Sequence, residues 1–570
     1  MLNIRHTINH RWFFWVVLAL LGVMAVVAGD RLRTWTFKVT EPVHFGDIER
    51  GWTWGHYTYT NMTVKGRSFL DTYDDVGIQS REARQWIDYS PARLVVVTAW
   101  NAWNHSAFPD KWHMRYRGVD TVDNVYAFHK FFVRFNTVME LIGCVGAFML
   151  VRHVVANAVQ SDGMNDNTKI ERRATLLGFI AALLLWFNPA IITSAHVWPS
   201  GDMWVIPPFI WAVYLCRSQR WFAAGCVLAI GTLFKGQQLF ALPVFLLWPL
   251  FQLRWREPLY LIGGLVGVFG LFTSGWTLTT VDVDHVRHLH YGAFALAMLP
   301  IVLLIAWLIL RRVRPAWRLD RLPLRVGFIT SFGLFGAIAL SSMGIFGTCF
   351  AWFDASYLYG TNHWTYMIMG LTSNLPGIMT NRYDWNNYSG PEYVLFEFLG
   401  YAVTMKGFLF AIFLLLTLVT TIAISVLERR RSTRFLVAIV TPWLLFFTIP
   451  CQIHERYLLF GAAIACVCIG HSLGMTLLGF FLTVVAWMMQ MHVQLGGHWK
   501  RSRWDDLLHA WYPQTFAKDT DFASTLYWLI NGTHPDIGWA IMLTTLIFLY
   551  VSCIPAKRCA LPVVNVEQAV

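Results

Sequence analysis

The chain has 570 residues, of which 56% are hydrophobic and 14% charged, against roughly 45–50% and about 25% in soluble domains. Its net charge of +12 comes without an Arg-Gly tract or basic arm, so it points to Lys/Arg-rich cytoplasmic loops and away from nucleic acid. The composition excludes a soluble globular enzyme and fits an all-α polytopic membrane protein, each span taking about 20 mostly apolar residues.

The first span, Trp12–Gly29, follows Arg5 and Arg11 and ends in Ala28-Gly29-Asp30-Arg31. That is a poor cleavage site, so the segment reads as a membrane helix with a cytoplasmic N-terminus. A polar stretch from Arg31 to Ala92 follows, then the amphipathic Arg93–Trp103 and more polar chain. Residues 1–130 therefore read as one membrane helix and a first outer loop, and 131–346 as a transmembrane core. A second large outer loop covers 347–406, where short helices are expected, and 407–570 return to membrane helices. The whole amounts to about 14 spans. Short basic loops fall on one side and long polar loops on the other, two signals that agree on orientation. Arg31 and Arg33 break the pattern, as do Lys500, Arg501 and Arg503. The nine cysteines lie mostly in apolar stretches with no Cys-x-x-Cys, and read as small core residues rather than ligands.

The polar residues that matter sit where spans meet the outer loops. Asp47 lies beside Glu49 and Arg50, among Trp52 and Trp54. A carboxylate there reads either as a general base for an acceptor hydroxyl or as a solvated loop residue. Asp88 precedes Tyr89-Ser90-Pro91 and reads first as a cap for a following helix with Pro91 in its first turn. Asn188-Pro189 interrupts the third span, and His196, Trp198 and Asp202 lie where it leaves the bilayer, so they line a cavity or a protein interface. Lys235 falls between two apolar runs; it either pairs with an anion in a cavity or snorkels to the interface. His454-Glu455-Arg456 is similarly enclosed. Arg456 suits a phosphate through paired hydrogen bonds, or forms a structural ion pair with Glu455. A ligand with a phosphate head and a lipid tail fits this set.

At these residues the chain resembles the C-type glycosyltransferase superfamily, polytopic enzymes that use polyprenyl- or dolichyl-phosphate sugars. Gly46-Asp47-Ile48-Glu49 resembles the Gly-Asp-x-Glu segment of the lumenal dolichyl-phosphate-glucose glucosyltransferases, where the Asp is the proposed base. Asp88-Tyr89-Ser90-Pro91 resembles their Asp-Tyr-Pro-Pro, with Ser90 in place of the first Pro. Asn188-Pro189-Ala190 with His196 and Asp202, Phe234-Lys235-Gly236-Gln237, and His454-Glu455-Arg456 resemble further segments in the same order. Thr361-Asn362-His363-Trp364 and Ser373-Asn374-Leu375-Pro376 depart from the glucosyltransferases and look more like bacterial relatives.

The resemblance implies inverting transfer of a sugar from a polyprenyl-phosphate donor to a glycan, lipid or protein acceptor. The site would face the periplasm from a bacterial inner membrane. Asp47 would be the base, and Lys235, Arg456 and His454 would hold the donor phosphate. Glu49, Asp88, Tyr89, His196, Asp202, Asn362, Asn374 and Glu455 would position substrate. Some superfamily members use a divalent cation such as Mg2+ or Mn2+, but no ligand set stands out here. A transporter or flippase for a lipid-linked or anionic substrate would also use intramembrane cations. Such proteins often carry internal repeats, and none is visible. An inactive scaffold that binds lipid phosphate is a third reading.

Overall fold

The computed structural model describes residues 2–40, 47–77, 87, 89–108, 122–161, 166–197, 199–282, 286–313, 323–347, 351–353, 356–357, 369–370, 373–379, 394–495 and 536–554. Among these residues the chain is overwhelmingly helical. Nine helices are long and apolar enough to cross a membrane, and three shorter apolar helices accompany them. This establishes an α-helical integral membrane protein; the expected larger span count goes beyond it.

The first helix corrects an expectation. α1 runs from Leu2 to Thr40, so the polar outer stretch does not begin at Arg31. Arg33 is 1% exposed and lies inside the bundle against Glu140. Its Nε donates to Glu140 Oε2 at 2.6 Å, and its Nη2 donates to both Glu140 and the Trp186 carbonyl. That burial explains an arginine that broke the charge pattern. Gly29 is required beside it, because a Cβ there would lie 2.0 Å from Trp186 Nε1.

The stretch before Ala92 is helical in two further pieces, α2 (Asp47–Thr63) and α3 (Phe69–Gly77). α4 (Pro91–Ala107) follows, with Ser90 at its N-cap and Pro91 in the first turn. The cap position therefore belongs to Ser90; Asp88, read as the cap, lies outside the described residues. α2 is seated on α4 at Gly55, where a Cβ would meet the Val97 carbonyl at 2.2 Å. Trp52 closes the contact, its ring centroid 5.2 Å from Trp100 and 4.3 Å from Phe128.

α5 (Val122–Ser161) and α6 (Asn167–Trp186) form the next hairpin, and the interruption expected at Asn188-Pro189 is present. Asn188 Oδ1 accepts from the Ala190 and Ile191 N–H groups and caps the short α7 (Pro189–Ile192). A π-turn, Thr193–Val197, and a 3-10 turn, Asp202–Val205, carry the chain into α8 (Ile206–Arg217). α9 (Trp221–Phe234) stops at Lys235; a 3-10 turn over Gly236–Ala241 then leads into α10 (Leu242–Leu250). The far ends of α9 and α10 meet where Arg254 Nη1 donates to Gln219 Oε1 at 3.4 Å. The two are thus a short helical hairpin with Lys235 at its tip. At the same end Arg217 pairs with Glu428 at 3.0 Å, and Gln252 Nε2 donates to Glu428 at 2.6 Å.

Sheet is sparse among the described residues. β1 (Thr279–Val281) pairs antiparallel with β2 (Arg287–Leu289). β3 (Met369–Gly370) pairs parallel with β6 (Ile453–His454). β4 (Val394–Phe398) and β5 (Tyr401–Thr404) form a hairpin in the second large loop, where only short helices were expected. Its corner, Leu399-Gly400, has both residues at positive φ, as a tight two-residue turn requires.

Candidate functional site

Three chain breaks bring the site together. Each is a place where regular α-helix is interrupted. Asp202 starts the 3-10 turn before α8. Lys235 is the C-cap of α9, with extended backbone at φ −157° and ψ 124°. Arg456 lies in the 3-10 turn Glu455–Tyr457, which follows β6 and leads into the helix Leu458–Ile464.

The three converge on Asp202. Lys235 Nζ forms an ion pair with Asp202 Oδ1, and Arg456 Nε lies 3.2 Å from Oδ2. Ser200 Oγ donates to the same Oδ2 at 2.9 Å. Lys235 and Asp202 are each 1% exposed, and the Arg456 side chain is the most open of the three at 11%. A carboxylate shared by two cations at this burial is held by strong, weakly screened attraction. Next to Arg456 in the chain, Glu455 Oε2 sits 3.7 Å from His454 Nδ1.

Aromatic rings wall the cluster. Lys235 Nζ stands 5.1 Å from the Tyr457 ring centroid and 5.8 Å from that of Tyr89. Gln237 Nε2 donates to the Tyr457 hydroxyl at 3.1 Å. Tyr89 is fixed in turn, because Tyr73 Oη donates to its carbonyl at 2.8 Å. Trp54 of α2 lies 6.0 Å from the Tyr89 ring, which ties the helix that begins with Asp47 to this wall. α3 is clamped nearby: Arg287 pairs with Asp71 at 2.9 Å and with Asp74, and Trp276 Nε1 donates to Asp74 at 3.0 Å. Tyr357 also borders the site: a Cβ on Gly236, next to Lys235, would lie 3.1 Å from its ring. Burial pushes the Tyr357 phenol well up, so it stays protonated and donates to the Thr232 carbonyl at 3.0 Å.

Thus Tyr89, Asp202, Lys235 and Arg456 come together as one cluster, with His454 and Glu455 adjacent to Arg456 in the chain. His196 does not join it directly. Its Nε2 bonds Glu140 Oε1 at 2.7 Å, making a buried Arg33–Glu140–His196 group. Asn374 serves as a brace: its Nδ2 donates to the Phe447 carbonyl at 3.2 Å, and its Oδ1 accepts from Gly377 N–H. Asp88 and Asn362 lie outside the described residues. So do the side chains of Asp47 and Glu49, whose backbone opens α2. Among the described residues no group of His, Cys, Asp and Glu is arranged to hold a metal ion. The sequence reading missed Arg93, taken only as the start of an amphipathic segment; its guanidinium lies 3.6 Å from the Tyr89 ring.

Chemically, the cluster is one carboxylate held between two cations. Two cations converge on one carboxylate at the end of three broken helices, beside two tyrosines. Compared with protein-family models and with curated proteins, the chain matches none.

Proposed function

We propose that the protein is an integral membrane glycosyltransferase that moves a sugar from a polyprenyl-phosphate donor to an acceptor hydroxyl. The observation that carries this reading is the convergence of Lys235 and Arg456 on Asp202 from separate helix breaks. Intramembrane charges face cavities and partners and mark substrate paths, and cations placed where a leaving phosphate gains charge favour its departure. The motif resemblance supports the rest. Asp47 at the head of α2 takes the acceptor proton, and the acceptor oxygen attacks the anomeric carbon from the face opposite the phosphate. Lys235 and Arg456 receive the departing polyprenyl phosphate, with Tyr89 and Tyr457 flanking it. A bacterial inner membrane with the site towards the periplasm suits the charge bias.

The test is direct. Lipid that co-purifies with the protein is identified by mass spectrometry, and that lipid-linked sugar is then offered with candidate glycan, lipid and protein acceptors. Sugar transfer is expected. Translocation of the lipid across proteoliposomes without transfer would replace the enzyme with a flippase.

A further inference from the structure

Arg93 breaks three local rules at once. It lies in the first turn of α4, where the positive end of the helix dipole disfavours a cation. It is 3% exposed, and a buried charge is costly unless it is paired. Among the described residues no carboxylate pairs with it, and its Nε has no hydrogen-bond acceptor there. Its contacts are aromatic: the guanidinium carbon is 3.6 Å from the Tyr89 ring centroid and 5.9 Å from that of Trp204. Cation–π contacts offset only part of such a desolvation. A residue that violates several rules without compensation among the described residues points to a functional site.

Its position says what would compensate it. Tyr89, on which Arg93 stacks, is also the ring 5.8 Å from Lys235 Nζ. A Cβ on Gly201, the residue before Asp202, would lie 3.3 Å from Arg93 Nη1. Arg93 therefore reaches the edge of the Asp202 cluster from a fourth element, α4. An anion bound there meets Lys235, Arg456 and Arg93 together.

We infer that Arg93 is a third cation of this anion site and that it selects a phosphate monoester over a phosphodiester. The inference rests on the phosphate reading above. A phosphodiester carries one negative charge, whereas a monoester carries nearly two near neutral pH, its second pKa being about 6. Glycosyl transfer converts the first into the second. The bond between the anomeric carbon and the phosphate oxygen breaks, and its electron pair stays on that oxygen. The acceptor oxygen bonds the anomeric carbon and its proton passes to Asp47. Arg93 thus meets charge that appears only as the sugar leaves, and interactions of that kind raise kcat.

The experiment measures binding of polyprenyl phosphate and of its methyl diester to purified full-length protein in nanodiscs by calorimetry, in wild type, Arg93→Gln and Arg93→Lys. Wild type is expected to prefer the monoester. Arg93→Gln should lose about tenfold or more in monoester affinity, as for a lost hydrogen bond to a charged group, and little for the diester. Arg93→Lys should recover part of the preference, which guards against misfolding as the cause. In a transfer assay Arg93→Gln should lower kcat and leave the donor KM nearly unchanged. Equal losses for both ligands, or an unaltered monoester affinity, overturns the inference. Because binding is read without any sugar, failure of the glycosyl-transfer reading would leave this result standing.

Discussion

Arg456 reaches Asp202 across 254 positions of chain, its Nε 3.2 Å from Oδ2, while Lys235 holds the other oxygen of the same carboxylate. Asp202 therefore fills the place between a buried lysine and a largely covered arginine, the place that the proposed ligand phosphate would also seek. Breaking such a group by removing one charge typically costs about 3–5 kcal/mol. Asp202→Asn should lower the unfolding temperature markedly, and inorganic phosphate should restore more of it than it adds to wild type. Thermal unfolding with and without phosphate measures this. A variant indifferent to phosphate would mean that Asp202 is a strut between the cations and that no anion takes its place.

Lys235→Ala and Arg456→Ala should each weaken binding of polyprenyl phosphate, by about tenfold or more if each supplies a charge-assisted hydrogen bond. Arg456 is the most open of the three; if the ligand enters from its side, its loss should slow association as well as weaken the complex. Unchanged affinity in both variants removes the cluster from the ligand site.

Asp47 heads α2, tied to Tyr89 through Trp54. If it is the base, Asp47→Asn should keep the fold and donor binding and reduce transfer by about 10²–10⁴-fold. Asp88→Asn is the matched comparison. Ser90 occupies the cap position of α4, and Asp88→Asn is expected to cost about 1 kcal/mol of stability or less. A dead Asp88→Asn beside an active Asp47→Asn would move the base to Asp88.

Glu140→Gln should loosen α1. It removes the charge that faces Arg33 and His196, leaving a buried guanidinium with carbonyl acceptors at Gly29 and Trp186. The expected cost is again about 3–5 kcal/mol, and cysteine pairs placed across α1 and α6 should cross-link more slowly. Gly29→Leu, which drives a side chain into Trp186, should produce the same undocking without altering a charge. Should Glu140→Gln leave the cross-linking rate alone, the contacts of α1 do not depend on this ion pair.

Much of the cluster was legible because helix breakers and rare charges announce themselves. Asn188-Pro189 stops a helix wherever it falls, and a lysine between apolar runs has few places to go. What sequence could not supply was pairing. Glu140 sits mid-helix among apolar residues, and nothing local says that Arg33, 107 positions earlier, is its partner. Arg93 was hidden for the opposite reason: at the head of an amphipathic segment a cation looks like ordinary surface. The hairpin Val394–Thr404 did carry a signal, the Leu399-Gly400 corner between two short apolar strands, passed over by expecting only short helices in the loop. The start of α2 at Asp47 was not read, because the stretch from Arg31 to Ala92 looks like a polar outer loop in sequence.

The lengths of the helices that end at the cluster have a consequence for the bilayer. α8 has 12 residues between the Asp202 turn and Arg217, and α9 has 14 between Arg220 and Lys235. At 1.5 Å per residue these are about 18 and 21 Å, whereas the hydrocarbon layer is about 30 Å thick. If Arg217 and Arg220 lie at one headgroup layer, Lys235 at the far end of α9 stands about 10 Å short of the other. On that placement the membrane dimples towards the cluster, or the lipid sinks its phosphate below its neighbours. Either way hydrophobic mismatch becomes a control on the site: thin bilayers of short-chain lipids should bring substrate to Lys235 more readily than thick ones.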